Sequence, residues 1–306
     1  MDAAELKDYA RQRGADLVGI ASADRFASLP PEANPLSIAP ECRSVIVLGR
    51  RILRGSLRGV EEGTNFGSTY GLFGFQWLED NFLSRTTYEL TLFIESHGYE
   101  GVPLFGYSPE GMPKGVPVAP DKPAPNVIVD LEFAAQAAGL GEVGLGGFFL
   151  TPEFGTRQRL AMVLTDAELE PDPVADRRLC GDCRACVDAC PLGAINADDA
   201  RPVGVPGHTM WVAAIDWRLC RACPNGAMVG PGRGERPDRI AAACGRACLN
   251  QLERADKCAN RFEQPFRKRT PWVLDSLHRP VPPGERGYNP ASAGCAKASE
   301  VGKEGG

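Results

Sequence analysis

The densest chemistry in the chain lies in the run CGDCRACVDACPLGAI, where Cys180, Cys183, Cys186 and Cys190 follow the spacing C-x2-C-x2-C-x3-C and Pro191 closes it. This is the spacing of bacterial ferredoxins. Three thiolates on one tight loop can take three corners of an iron-sulfur cubane, and the fourth, carried onto the next turn, points toward a second cluster. A zinc ribbon uses two separated CxxC knuckles and accounts poorly for thiolates arranged this way. A second set, Cys220, Cys223, Cys244 and Cys248, supplies enough further ligands for two 4Fe-4S clusters. The crossed-ligation rule groups Cys180, Cys183, Cys186 and Cys248 around one cluster and Cys190, Cys220, Cys223 and Cys244 around the other. Cys258 competes for one of the later positions, because CGRAC lacks the preceding cysteine and following proline of a complete second run. Cys42 and Cys295 read as buried or free thiols.

Of the 11 cysteines in 306 residues, only Cys42 precedes Cys180, which argues for a cluster module attached to a larger domain that folds without it. A hydrophobic content of 43% is ample for one or two cores, and 35 glycines with 26 prolines predict many turns and disfavour an all-helical bundle. The net charge of -5 and pI near 5.4 disfavour broad nucleic-acid binding, and Arg50, Arg51, Arg54 and Arg58 read as a solvated face. The opening MDAAELKDYARQRG lacks the apolar core of a signal peptide, and no uninterrupted apolar run is long enough to span a bilayer. These features predict a cytoplasmic protein without membrane insertion.

The ligands need elements to hold them, and the sequence predicts a helix over 3–13, a turn at Gly14 and a buried strand ADLVGIA. A second strand is SVIVLG over 44–49, rich in β-branched residues. A glycine- and aromatic-rich stretch over 70–77 precedes the best helix candidate, 78–97, and GVPLFGY then reads as a short strand entering a turn. Residues 107–128 are dense in proline and predict a long loop able to cover a site. A short helix over 131–138 leads into GLGEVGLGG, whose glycines allow close backbone approach to a ligand or another segment. Its spacing does not match a dinucleotide fingerprint. RLAMVLTD supplies a final strand. The expected organisation is an α/β (α+β) domain over 1–170, a ferredoxin-like double-cluster domain over 171–262, and a wrapping extension or tail over 263–306.

The chain resembles, over nearly its whole length, the epoxyqueuosine reductase and reductive dehalogenase superfamily of corrinoid, iron-sulfur enzymes. The resemblance rests on GADLVGIA, RSVIVLG, AAGLGEVGLGGFFLTPEFGTRQRLAMVLTDAELEPD and LCGDCRACVDACPLGAI. It implies a nitroreductase-like first domain binding cobalamin in base-off form, reduced through one face by two 4Fe-4S clusters, with substrate over the opposite face. Departures are equally specific. The epoxyqueuosine branch carries an aspartate in a D-x-x-P-V-L-E-R context just upstream of AGLG. Here that stretch reads KPAPNVIVDLEFAAQAAGLG, with Asp130 and Glu132 out of register. Leu145 stands where a G-W-I-G-K pattern would place lysine, and the chain ends without the helical-repeat extension of many such reductases. These departures, with the mild negative charge, favour a small electrophile over tRNA as substrate.

Two nearby cubanes make an electron wire, and the first domain supplies its terminus, so the expected activity is that of a reductase fed by ferredoxin or flavodoxin. Alternatives are a reductase of a corrinoid protein or flavin, an epoxyqueuosine reductase acting on tRNA, and a non-catalytic electron carrier. Monomer and homodimer both stay open. Candidate proton donors are Tyr70, Asp130, Glu132 and Arg159. Gly139, Gly141, Gly144 and Gly146 are candidates for close cofactor approach, and Arg157 for a carboxylate or a corrin propionamide. Of the three histidines, His97, His208 and His278, only His208, in VGVPGHTM between the cysteine groups, is placed to bond a cluster or cofactor rim.

Overall fold

In a computed structural model, residues 1–105, 115–175, 178–229 and 236–285 are described. Helix α1 (Ala3–Gln12) starts where the Asp2 carboxylate accepts the Glu5 N–H at 2.9 Å, and it buries Leu6 and Ala10. Strand β1 (Leu17–Ser22) pairs antiparallel with β2 (Ser44–Arg51). Beyond β2, α2 (Arg58–Glu62) leads to two π-helical stretches, Gly67–Gln76 and Leu78–Leu83, which run directly into α3 (Ser84–Ser96). Strand β3 (Gly101–Leu104), α4 (Leu131–Ala137), the short pair β4 (Glu142–Val143) and β5 (Phe149–Leu150), and β6 (Gln158–Thr165) complete this half.

The main sheet has the order β1-β2-β6-β3 and is antiparallel at every pairing. Alternation along β2 divides its side chains between two cores. Val45 and Val47 join Phe26 and Phe133 of α4 on one face, while Ile46 and Leu48 join Leu6, Leu90 and Ile94 of α1 and α3 on the other. The result is a mixed α/β layer with helices on both faces of the sheet.

The cysteine-bearing half contains α5 (Ala185–Asp188), the hairpin β7 (Ile195–Val203) and β8 (Met210–Ile215), α6 (Trp217–Arg221) and α7 (Ala243–Arg254). Its core joins Leu179, Leu192 and Leu252 to Phe148 and Leu150 from the glycine-rich segment. Glu61 of α2 forms a clasp: its carboxylate accepts from Arg246 of α7 at 2.8 Å and from Arg267 at 2.6 Å, and its carbonyl accepts from Trp272 Nε1 at 2.9 Å. The described part of the C-terminal extension is thereby packed, with Phe266 buried. Residues 286–306, including Cys295, and residues 106–114 of the proline-dense loop lie outside the described residues.

The predicted helix over 78–97 differs from the structure: π-helical turns begin at Gly67, and regular α geometry starts at Ser84. Within the first of these stretches the Tyr70 ring rests on Gly74. A Cβ there would sit 2.4 Å from the ring carbon Cδ2. The basic patch is engaged internally: Arg50 donates to Thr86 Oγ1, Arg51 lies 3.4 Å from Asp16, and Arg54 lies 2.7 Å from Glu253. Among the described residues, no helix is long and apolar enough to cross a membrane.

Candidate functional site

Cys180, Cys183, Cys186 and Cys248 line one small pocket, and Cys190, Cys220, Cys223 and Cys244 line a second. Helix α7 contributes to both, because Cys244 and Cys248 lie one helical turn apart and enter different pockets. Backbone amides already address the sulfurs: Leu145 N–H donates to Cys180 Sγ at 3.3 Å and Ala194 N–H to Cys190 Sγ at 3.3 Å. Among the described residues, no three His, Cys, Asp or Glu side chains converge on a single-ion site. Burial pushes the thiols of Cys186 and Cys220 up to about 12 and that of Cys244 up to about 11. Without metal these groups are therefore neutral thiols, and metal loading would have to displace their protons.

The glycine-rich strip forms a wall of the first pocket. A Cβ on Gly146 would lie 2.7 Å from Cys186 Sγ, so the strip approaches the thiols closely only because it lacks side chains there. At Gly141 a Cβ would meet the Leu150 carbonyl oxygen at 1.9 Å, a backbone contact with no flexible side chain to yield. Gly141→Ala is expected to cost roughly 1–3 kcal/mol through overpacking, read as a lower denaturant midpoint with an unchanged slope. A midpoint equal to that of the parent would show that β4 and β5 can separate freely.

Beside the thiol pockets is a cavity of about 830 Å³, bounded by α4, β6, the β7–β8 hairpin and the segment over 236–240. Its walls include the apolar Phe148, Phe149 and Val212 and the ionic side chains Glu79, Arg159 and Asp238, whereas Tyr70, fully buried, does not line it. Arg159 Nη2 donates to Tyr70 Oη at 2.7 Å and to Asp238 Oδ2 at 3.0 Å, and its Nε donates to the Gly74 carbonyl at 2.9 Å. Tyr70 Oη in turn donates to Asp238 Oδ2 at 2.6 Å, and Glu79 lies 3.5 Å from Arg159 Nε. Burial opposes the Arg159 charge, but Asp238, Tyr70 and Glu79 outweigh it and hold the guanidinium more firmly protonated than usual. Burial drives the Tyr70 phenol well above its ordinary range, so it keeps its proton at neutral pH.

At the start of α4, Asp130 Oδ1 accepts the N–H groups of Glu132 at 2.9 Å and Phe133 at 3.0 Å, capping the helix. Asp130 and Glu132 both line the cavity. Burial, reinforced by the Asp130 charge, raises the Glu132 carboxyl to about 7, while Arg236 and Arg239 pull the other way.

The structure thus brings Tyr70 and Arg159 together and sets Asp130 and Glu132 on the same cavity. Gly139 packs against the Pro173 carbonyl, Gly141 against that of Leu150, and Gly144 and Gly146 against Cys180 and Cys186. None of these four glycines lines the large cavity. Arg157 donates away from it, to the Ile52 carbonyl and to Asn260 Oδ1. His208 is tied through its carbonyl to Gln136 Nε2 at 2.8 Å, and its side chain does not line the cavity. Cys258 is buried outside both thiol pockets, and Cys42 is buried beside Ser44 at the end of β2. Sequence reasoning missed Asp238, Arg239, Glu79 and Thr156. The only available signal was a charged Asp-Arg pair ahead of the alanine-rich approach to Cys244.

No protein-family model matches the chain. A tetrachloroethene reductive dehalogenase of Desulfitobacterium hafniense is 33% identical over 117 residues, covering 37% of this chain and 18% of that protein. An epoxyqueuosine reductase of Staphylococcus aureus is 28% identical over 228 residues, 64% of this chain and 53% of the relative. The chain therefore matches about half the length of the second relative and less than a fifth of the first. A solved reductive dehalogenase, described as carrying out B12-dependent dehalogenation, aligns with a TM-score of 0.48 at 17% identity over 92% of this chain and 45% of that one. Over part of its length, the chain is thus similar in sequence both to a reductive dehalogenase and to an epoxyqueuosine reductase.

Proposed function

We propose that the chain is a cytoplasmic iron-sulfur reductase that holds two 4Fe-4S clusters and a base-off cobalamin and reduces a small electrophilic substrate, with ferredoxin or flavodoxin as electron donor. The observation that carries this reading is the juxtaposition of two four-thiol pockets with one large cavity whose wall is backed by a protonated phenol and a buried arginine. Cys180, Cys183, Cys186 and Cys248 would hold one cluster, and Cys190, Cys220, Cys223 and Cys244 the other. The N–H groups of Leu145 and Ala194 are directed at their sulfurs. For a corrinoid the fit rests on the cavity's size, its aromatic and aliphatic faces, and the Thr156 hydroxyl, which lines it and is buried without a hydrogen-bond partner. When bound, the clusters supply single electrons and the corrinoid supplies reductive chemistry at cobalt.

The residues of the chain would supply the remainder. Tyr70, Arg159 and Asp238 hold a proton at the phenol oxygen, and Glu132 holds a second at a cavity-facing carboxyl that is half-ionised near neutrality. The longer of the two sequence matches is to an epoxyqueuosine reductase, which favours, as a second reading, a modified base of tRNA in the same cavity. Anaerobic reconstitution with iron, sulfide and cobalamin, followed by EPR, tests the cofactor assignment. Base-off cobalt(II) alongside cluster signals is the expected result; no corrinoid uptake and no cobalt signal would sink it. Turnover of a halogenated or epoxide substrate against the epoxyqueuosine stem-loop then separates the two substrate classes.

Glu132 gives a pH test that needs no substrate. Its carboxyl rises from 4.5 to about 7 on folding, so the native state binds more protons than the unfolded chain between those values. The stability it contributes is complete below pH 4.5 and is lost as pH rises through about 7. Glu132→Gln is expected to flatten the fall in melting temperature across this window. An unaltered slope would remove Glu132 from the titrating groups and from the proton donors.

A further inference from the structure

Among the described residues Arg239, like Arg157, is a buried arginine without an ion pair, but unlike Arg157 it lines both a thiol pocket and the large cavity. It is 5% exposed. Its Nη2 donates to the Gly146 carbonyl at 2.7 Å, and its guanidinium carbon lies 4.6 Å from the Phe148 ring centre and 5.0 Å from that of Trp217. Nη1 is buried with no hydrogen-bond partner. The neighbouring carboxylate, Asp238, is committed to Arg159 and Tyr70. A guanidinium cannot shed its proton to escape burial, so this arrangement leaves a fixed positive charge, felt by Glu132 on the same cavity, and an Nη1 donor without a partner.

The position of the group says which partner. Arg239 lines the pocket formed by Cys190, Cys220, Cys223 and Cys244, and it also lines the large cavity. The rings of Phe148 and Trp217 restrain the side chain without neutralising it.

We infer that Arg239 is the positioning residue for electron transfer: its guanidinium, with Nη1 as donor, is the counter-charge of the cluster held by Cys190, Cys220, Cys223 and Cys244, and it raises that cluster's reduction potential. The inference rests on the two-cluster reading proposed above. The sign follows from charge. Reduction makes a cluster more negative, so an adjacent cation and a hydrogen bond to its sulfur both favour the reduced state. Of the two clusters, the one beside Arg239 becomes the better acceptor. Because the same side chain faces the cavity, the gradient runs toward the cavity rather than away from it.

The test is an EPR-monitored redox titration of reconstituted parent and Arg239→Gln protein, with iron and sulfide measured first. An iron content well below that of two clusters in the parent would defeat the underlying two-cluster reading, separately from the inference about Arg239. With both clusters present, one midpoint is expected to move to lower potential in Arg239→Gln while the other stays in place. Arg239→Lys, which keeps the charge but not the forked donor, should fall between the two. Unmoved midpoints in a fully loaded Arg239→Gln protein would overturn the proposal. If that variant takes up no iron, the titration is made on Arg239→Lys, and midpoints equal to the parent's there would overturn it as well.

Discussion

Cys244→Ala is expected to leave the reconstituted protein with about half the parent's iron and sulfide, and Cys248→Ala to do the same by emptying the other site. The two thiols are one helical turn apart on α7, yet they line separate pockets, so neither can substitute for the other without unwinding the helix. Cys244 is buried and Cys248 partly buried, both packed among leucine and alanine side chains. Because metal binding is part of the folding free energy of such a module, each variant should also melt earlier than the loaded parent, with the loss concentrated around α5 and α7. Colorimetric iron and sulfide give the stoichiometry, and EPR of the paired variants should show different residual signals. Cys258→Ala should retain full iron, since Cys258 lies outside both pockets. Full iron in Cys244→Ala, or a halving in Cys258→Ala, would require a different set of ligands.

The second large effect is expected at Asp238. Asp238→Ala removes the carboxylate that takes two hydrogen bonds from Arg159 and one from Tyr70, leaving a buried guanidinium with only the more distant Glu79. Breaking a buried pair from one side typically costs about 3–5 kcal/mol. Tyr70→Phe should cost less, roughly 1–3 kcal/mol, because it deletes one neutral partner and keeps the ring over Gly74. The two changes act on one network. Their double mutant should therefore be less destabilised than the sum, and urea denaturation of the four proteins at one pH measures the difference. Additive losses would mean that the phenol and carboxylate do not depend on each other. Turnover should fall in both single variants if the phenol holds the proton used in reduction, whereas a purely structural network would change stability and leave the per-folded-molecule rate intact.

The thiol groups were legible because their information is local: four residues within eleven positions can be recognised without knowing the fold. The main strands were legible for a similar reason, since runs such as SVIVLG in β2 carry strong β-propensity and are buried on both faces. The buried ionic group was only half legible. Tyr70 and Arg159 stand 89 positions apart, and their partner Asp238 is a further 79 from Arg159, so only the packed structure brings them together. The π-helical stretch was hidden by its composition. Glycines and aromatics over 67–77 read as irregular chain, and the contacts made there, Tyr70 over Gly74 and Arg159 to the Gly74 carbonyl, come from partners that sequence does not bring together. The glycine-rich strip was recognised as a place of close approach, but sequence could not say to what. Gly144 and Gly146 approach the thiols, whereas Gly139 and Gly141 approach backbone carbonyls.

The Glu61 clasp ties events at opposite ends of the chain to one equilibrium. A single carboxylate, 9% exposed, holds α2 to α7 through Arg246 and to the C-terminal extension through Arg267. Any opening that withdraws α7 from the thiol pockets must also release Glu61, and with it the carbonyl that anchors Trp272. The amides of α2, α7 and the extension therefore belong to one cooperative opening unit rather than three independent ones. Ligation of a metal on one side of α7 would then slow hydrogen exchange on its other side, in segments that carry no cysteine.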